Sequence, residues 1–554
     1  MDSRRPRIPG WATALLLLLI TFLIYQVSLR APFQFDDRLF LNDPNVRAPG
    51  GWLRMSQAGW SRWLPWLTFH WNFRLADENP LWYHAVNLFL HLINVVLVGA
   101  VVREWESGRG GEWEIPTLNS GTIAAAIFAL HPLQTEAVNY IYQRTVLLAG
   151  CFGFAALLLF FRFLEGSRRA IVGVVGLLVL AIMSKESAVG FVPILFMAFA
   201  FSRSSGKFRP YLTVLAAAPV LAMLVWMLRS HRYLFTETLV FWRYLALWVY
   251  PAGLNIDHDV PVVQGVSLQV ALSILALAGL IFLFIALRNR YPALSFWFFA
   301  FLFLLIPTSS VIAAPDAMFE HRMYLPMLGL AGMAGNLFLL LLPRFPRIVL
   351  PVTVMCLIIW SAVSVLRNRV WLSEVSLWES AAAQSPRKYR PHYNLGTLLL
   401  TIDPPRAARS FERALQQQPD SLAAWHNLGQ ARAFSGNDAG AVVAWDQGLK
   451  LYPQSAIMHQ ALGALYSRKR DFNPAREHLV AAMRLEPRSH ATFYELALLF
   501  FRFGMLEEAL RYGERSLELD DSKAETFLLV SAILRQQGNV EAAEKYRREA
   551  ERRK

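Results

Sequence analysis

Residues 84–102 read HAVNLFLHLINVVLVGAVV. The stretch carries no charge, and a helix of about 20 apolar residues is what crossing the hydrocarbon core of a bilayer requires. It also places His84, Asn87 and His91 at i, i+3 and i+7, so polar groups share one side of an otherwise apolar helix. Polar side chains at membrane depth are costly, and they usually face a cavity or one another. A helix of this kind belongs in a polytopic bundle, and its neighbours extend the pattern. Apolar segments near 11–29, 120–139, 145–164, 170–184, 187–201, 211–228, 267–287, 292–312, 323–342 and 347–366 bring the expected number of spans to 11. Trp11–Leu29 follows Arg4, Arg5 and Arg7, and no small-residue cleavage site comes after it, so it reads as a retained first span.

Composition agrees. The chain has 554 residues, which is long for one domain. Hydrophobic residues make up 55%, charged residues 17%, and mean hydropathy is +0.34. These values exclude a soluble enzyme throughout, a disordered chain and a nucleic-acid-binding arm. The net charge of +14 is unevenly divided. Residues 1–370 hold 29 basic and 18 acidic side chains, whereas 371–554 hold 25 and 22. The excess therefore lies in the membrane half, where it sets topology, and no nucleic-acid partner is expected. With only Cys151 and Cys356, both in apolar runs, neither a disulfide framework nor a cysteine metal site can form.

Basic residues in short loops mark the cytoplasmic side. With the N-terminus inside, Arg103 and Arg109, Arg168 and Arg169, Arg203, Lys207 and Arg209, Arg288 and Arg290, and Arg344 and Arg347 fall in every second turn. Residues 30–83, 140–144, 229–266 and 313–322 are then outside, as is the C-terminal domain. Residues 238–250 are apolar but short and contain Arg243, so they read as a re-entrant or interfacial helix and not as a twelfth span.

Beyond residue 370 the chain repeats itself. Asn394-Leu395-Gly396, Asn427-Leu428-Gly429, Ala461-Leu462-Gly463 and Glu495-Leu496-Ala497 recur every 33 or 34 residues, and Pro419, Pro453 and Pro487 every 34. Ala408, Ala441, Ala475 and Ala509 open the second helix of each unit. This is the tetratricopeptide pattern. Four full repeats are expected between 391 and 526, preceded by a half-repeat (371–386) and followed by a polar cap (527–554). The fold class is thus all-α: a transmembrane helical domain, 1–370, with an outer loop at 30–83, then a repeat superhelix, 371–554. Such arrays commonly bind peptides on their concave face. Packing on the membrane domain or oligomerisation are the alternatives.

Chemistry concentrates at the outer side. Asp36 and Asp37 adjoin one another just past the first span. One carboxylate can deprotonate an acceptor hydroxyl while the other orients it, although either could equally cap a short helix. Of His84, His131, Glu136, Arg144, Lys185, Glu186, Glu320, His321, Arg322 and Tyr324, most fall towards the same side in this topology. Glu136 with Arg144, and Lys185 with Glu186, could instead be ion pairs that lock helices. There is no glycine-rich phosphate loop, no Ser-His-Asp order and no metal-spaced cluster, so no metal or other cofactor is expected. An outer site with acidic base candidates and buried cations suits a donor delivered within the bilayer, with phosphate as leaving group.

Several segments resemble the transmembrane and tetratricopeptide-repeat O-mannosyltransferases of the C-type glycosyltransferase superfamily. They are Phe35-Asp36-Asp37 with Asn42 and Asn45-Val46, Tyr83-His84-Ala85-Val86-Asn87 with Leu90-His91, Ala129 to Val138 with Arg144, Lys185-Glu186, and Glu320-His321-Arg322-Met323-Tyr324-Leu325-Pro326. With the repeats, the resemblance covers nearly the whole chain. It implies a polyprenyl-phosphate sugar donor and a hydroxyl acceptor on a polypeptide held by the repeats. It also implies Asp36 or Asp37 as base, and Arg144, Lys185 or Arg322 at the donor phosphate. The Glu-His-Arg order and the short array depart from the animal members. The compact loops point to a bacterial inner membrane with the repeats in the periplasm; a eukaryotic chain would place them in the lumen of the endoplasmic reticulum. Two other readings stay open. One is a non-catalytic membrane-anchored scaffold for envelope or secretion assembly, which leaves the outer polar residues without work. The other is a glycosyltransferase acting on a lipid or polysaccharide.

Overall fold

The computed structural model describes residues 10–55, 62–107, 119–201, 231–263, 265–309 and 316–553. Among them are helices and connecting turns, with no strand. The chain forms two compact units, Met1–Ser385 and Pro386–Lys554, and helix Glu374–Gln384 packs within the first.

Among the described residues, five helices of the first unit are long and apolar enough to cross a membrane: Trp11–Arg30, Pro80–Ser107, Ile141–Leu164, Leu268–Leu287 and Pro346–Val370. Shorter apolar helices run Ser120–Leu130, Ala170–Ser184, Glu186–Phe201, Pro292–Thr308 and Met327–Leu341. Each falls on a span expected from the sequence. The expected span at 211–228 lies outside the described residues, as do Arg109, Arg203, Lys207 and Arg209. Leu268 (76% exposed), Phe282 (71%) and Ile358 (63%) sit on helices that turn apolar side chains outward. Water does not tolerate a continuous surface of that kind, whereas lipid does.

One expected span is broken. Residues 120–139 form a helix only to Leu130, because Pro132 lacks an N–H and holds the residue before it out of the helical region. His131 accepts the Leu133 N–H at Nδ1 (3.2 Å) and bonds the Trp248 carbonyl through Nε2 (2.9 Å), so it shapes the break. The chain then turns through Pro132–Gln134, Thr135–Asn139 and Ile141–Gln143 before helix Arg144–Leu164 begins. This folded insertion carries Glu136 and two tyrosines into the site. Of residues 238–250, all but Tyr250 are part of helix His231–Val249, whose Arg243 is exposed and donates to the Asp259 carbonyl (3.4 Å). Helices elsewhere approach closely over small residues: a Cβ on Gly335 would stand 2.4 Å from the Ser120 carbonyl oxygen.

The second unit is five antiparallel helix pairs, from Tyr389–Leu399 with Pro404–Gln417 to Ala524–Gln536 with Val540–Arg552. Residues 527–554, expected as a polar cap, instead belong largely to this fifth pair, whose helices are of ordinary length. The glycine of each Asn-Leu-Gly motif faces a large side chain of its partner helix. A Cβ on Gly429 would lie 2.1 Å from Trp445 Nε1, while that same indole N–H donates to the His426 carbonyl (3.0 Å). Overpacking of this kind costs about 1–3 kcal/mol. Gly429→Ala should therefore lower the unfolding midpoint of the repeats, followed by tryptophan fluorescence in urea; an unchanged midpoint would show that Trp445 can move aside.

Candidate functional site

The two adjacent aspartates are held very differently. Asp37 begins helix Asp37–Leu41 and is 1% exposed. Its Oδ1 accepts the Tyr142 N–H (2.8 Å) and its Oδ2 the Gln34 N–H (3.0 Å). Burial pushes its carboxyl up to about 8 despite those two bonds, with the Asp36 charge adding to the rise and Arg144 opposing it. Asp36 is half-buried; its N–H donates to the Tyr140 hydroxyl (3.1 Å). Phe35, directly before it, adopts a left-handed φ of 54°. A non-glycine residue in that conformation stores strain of order 1 kcal/mol and persists only where surroundings impose it. Here Tyr140 stands edge-on to the Phe35 ring (5.9 Å) and Trp378 lies against it (5.5 Å).

The segment Tyr140–Gln143 ties these groups together. Tyr140 and Tyr142 hold the two aspartates, as above. The Tyr142 hydroxyl also accepts from Arg62 Nη1 (3.5 Å), and Gln143 Oε1 accepts from Lys185 Nζ (3.2 Å). Arg62 pairs with Glu186 (3.2 Å) at a largely exposed position. Lys185 feels the charges of Arg62 and Arg322, and His321 feels those of all three. Three cations thus gather around His321.

Two histidine–glutamate pairs, each with a fully buried glutamate, belong to the same region. His321 Nδ1 is 2.6 Å from Glu136 Oε1, and the His321 backbone N–H donates to Glu136 Oε2 (3.2 Å). Glu320 receives His258 Nε2 at 3.0 Å, together with the Asn255 N–H. Arg322 donates to the Ala317 and Asp316 carbonyls (2.8 and 3.2 Å) and comes within 3.9 Å of Glu237. Among the described residues no group of three or more His, Cys, Asp or Glu could hold a metal ion.

Several expected site residues are built into the scaffold instead. Arg144 is fully buried: Nε donates to Asn87 Oδ1 (2.9 Å), Nη2 to the Tyr83 carbonyl (3.0 Å) and Nη1 to Thr68 Oγ1 (3.4 Å), with Phe69 beneath the guanidinium (4.6 Å). No Arg144–Glu136 ion pair forms, and Lys185 and Glu186 point to Gln143 and Arg62 in place of each other. His84 bonds the Ala31 carbonyl (3.1 Å), which fixes the exit of the first span. Tyr324 is buried, receiving His91 Nδ1 (3.0 Å) and Asn94 Nδ2 (2.9 Å) at its hydroxyl.

Arg62, Tyr140, Tyr142, Gln143 and His258 were not singled out from the sequence. Arg62 is a lone cation in a tryptophan-rich run, and Asp257-His258-Asp259 places three titratable residues in an outer segment. Those were signals. The tyrosines carried none, because their contribution comes from hydroxyl and backbone groups meeting residues a hundred positions away.

Comparison with known proteins puts this geometry in a setting. Over 460 residues the chain is 25% identical to a protein O-mannosyl-transferase of Caenorhabditis elegans, an alignment that covers 75% of this chain and 64% of the relative. It is 34% identical over 166 residues to protein O-mannosyl-transferase TMTC1 of Mus musculus, covering 26% of this chain and 17% of that one. The chain thus spans less than two thirds of these relatives' lengths. Among solved structures, a TPR protein of Thermus thermophilus matches 30% of this chain and 91% of its own at 20% identity, with a TM-score of 0.28. No protein-family profile matches.

Asp37 and Asp36 should separate by measurement. In Asp37→Asn an amide NH2 must face the Gln34 or Tyr142 N–H, so a buried donor goes unsatisfied at a cost of about 1–3 kcal/mol. The thermal midpoint should fall for Asp37→Asn and stay for Asp36→Asn; equal midpoints would mean the Asp37 bonds are not what holds the loop.

Proposed function

We propose that the protein is a membrane glycosyltransferase of the C-type that moves a sugar from a polyprenyl-phosphate donor to a hydroxyl, Ser or Thr of a polypeptide, on the non-cytoplasmic side. The observation that carries this reading is the division of labour between the aspartates. A buried, doubly bonded Asp37 holds the loop, and a half-buried Asp36 beside it stays available to the acceptor. The names of the relatives support the sugar, the polypeptide acceptor and the reaction class.

Asp36 acts as general base, accepting the acceptor's hydroxyl proton as its oxygen attacks the sugar's anomeric carbon. Arg62, Lys185 and Arg322 bind the donor phosphate and stabilise the charge that grows on it as the glycosidic bond breaks. Arg144 acts one step back, positioning the second span against the outer-loop helix Trp63–Ala76 through Asn87, Tyr83 and Thr68. The alternation of basic loops supports placing the site and the repeats together in the periplasm. There the repeats raise the local concentration of acceptor polypeptide without adding catalytic contacts.

A positioned base contributes about 10²–10⁴-fold. Asp36→Asn should lower transfer from polyprenyl-phosphate mannose to an acceptor polypeptide by that factor while the protein still inserts and folds; transfer at the normal rate would remove Asp36 as base. Deleting residues 386–554 should slow modification of a full-length acceptor more than transfer to a short peptide at high concentration. Equal effects, in a truncated protein of unchanged thermal midpoint, would mean that the repeats do not select the acceptor.

A further inference from the structure

We propose that His321, held by Glu136, is a second catalytic residue: its Nε2 meets the donor phosphate and passes a proton to the departing phosphate oxygen. This rests on the lipid-phosphate donor proposed above and assigns a task to a pair which that reading leaves idle.

The geometry is that of an oriented imidazole. Glu136 is fully buried and clasps one residue at two points, the His321 ring at Nδ1 (2.6 Å) and its backbone N–H (3.2 Å). A carboxylate placed there fixes both ring orientation and tautomer, putting hydrogen on Nδ1 and leaving Nε2 to react. Phe319 stacks against the ring at 5.1 Å, and the Arg322 guanidinium lies over the Phe319 ring at 5.2 Å, so the plane is held as well. The His321 side chain keeps 12% of its surface open, and Nε2 makes no hydrogen bond among the described residues.

The surrounding charges give the ring its timing. Glu136 faces it from Thr135–Asn139, Lys185 from the end of Ala170–Ser184, Arg62 from ahead of Trp63–Ala76, and Glu320 and Arg322 from its own turn. Burial, then Lys185 and Arg322, hold the imidazole well below its ordinary 6.5, so it is neutral before the donor arrives. A phosphate anion among the same three cations offsets their charge and favours imidazolium. Donor binding therefore takes up one proton. In the transfer step the bond between anomeric carbon and phosphate oxygen breaks, its electron pair staying on the phosphate, and the acceptor oxygen bonds to that carbon. The acceptor's proton goes to Asp36, and the His321 Nε2 proton goes to the phosphate. Asp36 then releases its proton to water, and His321 regains one with the next donor.

The sign follows from linkage. The bound-state pKa is the higher of the two, so affinity is greatest at low pH. It weakens by up to ~10-fold per pH unit between the free and bound pKa values. The test measures affinity of the full-length protein for polyprenyl-phosphate mannose from pH 5 to 8.5, with turnover on an acceptor peptide alongside. His321→Gln should flatten the pH dependence and lower turnover by ~10²-fold or more. Glu136→Gln, which removes the positioning carboxylate, should move the slope to lower pH. Lys185→Arg should keep the slope, and Asp36→Asn should keep it while losing transfer. An unchanged slope in His321→Gln, or turnover within about two-fold of the unaltered protein, overturns the proposal. Should His321→Gln fail to fold, an unmoved slope in Glu136→Gln overturns it equally. Absence of any binding of that lipid by the unaltered protein overturns the donor-site reading itself, and normal transfer by Asp36→Asn removes Asp36 as the base of that reading.

Discussion

A carboxylate with almost no contact with water, Asp37, receives the backbone N–H groups of Gln34 and Tyr142. Those two segments lie more than a hundred residues apart, one leaving the first apolar helix and the other entering helix Arg144–Leu164. Burying a carboxyl is expensive unless hydrogen bonds replace its hydration. The fold supplies them from main chain alone, which side-chain motion cannot withdraw. The rest of the candidate site is assembled on that clasp. Tyr140 is set beside Asp36, Tyr142 reaches Arg62, and Gln143 reaches Lys185.

Polar residues within this apolar unit divide into two kinds. Arg144, His131 and Tyr324 make their hydrogen bonds inside the protein with neighbouring segments, and His84 and His91 each do so through one ring nitrogen. Those bonds hold the segments together, because a polar group that loses its partner at that depth destabilises the fold. Asp36, Arg62, Lys185 and His321 keep some exposure. The same low-dielectric setting that makes the first kind obligatory strengthens every charge interaction available to the second.

Strain at Phe35 belongs to the same economy. Its left-handed backbone turns the chain so that Asp37 points inward and Asp36 does not, and Tyr140 and Trp378 pack the ring that results. Trp378 lies on helix Glu374–Gln384, whose Glu374 also meets Arg38 (2.9 Å). This helix, grouped with the repeats by its sequence position, therefore packs against the loop that carries the aspartates.

Periodicity alone determined much of this protein. Runs of about 20 apolar residues mark membrane helices because the bilayer sets their length, and a 34-residue recurrence marks paired helices because each pair buries its face only on the next. The outer-side motifs were legible too, since charged residues in apolar surroundings stand out in composition. Tertiary structure alone decided which of them are open. Asp36 and Asp37 are identical in sequence chemistry, yet one receives two N–H bonds from distant turns and the other does not. Arg144 and Lys185 are both cations beside apolar helices, yet only Arg144 meets Asn87, the Tyr83 carbonyl and an aromatic face together. Such differences come from contacts between segments far apart along the chain, and hydrogen-bond capacity is a property of the meeting, not of the residue.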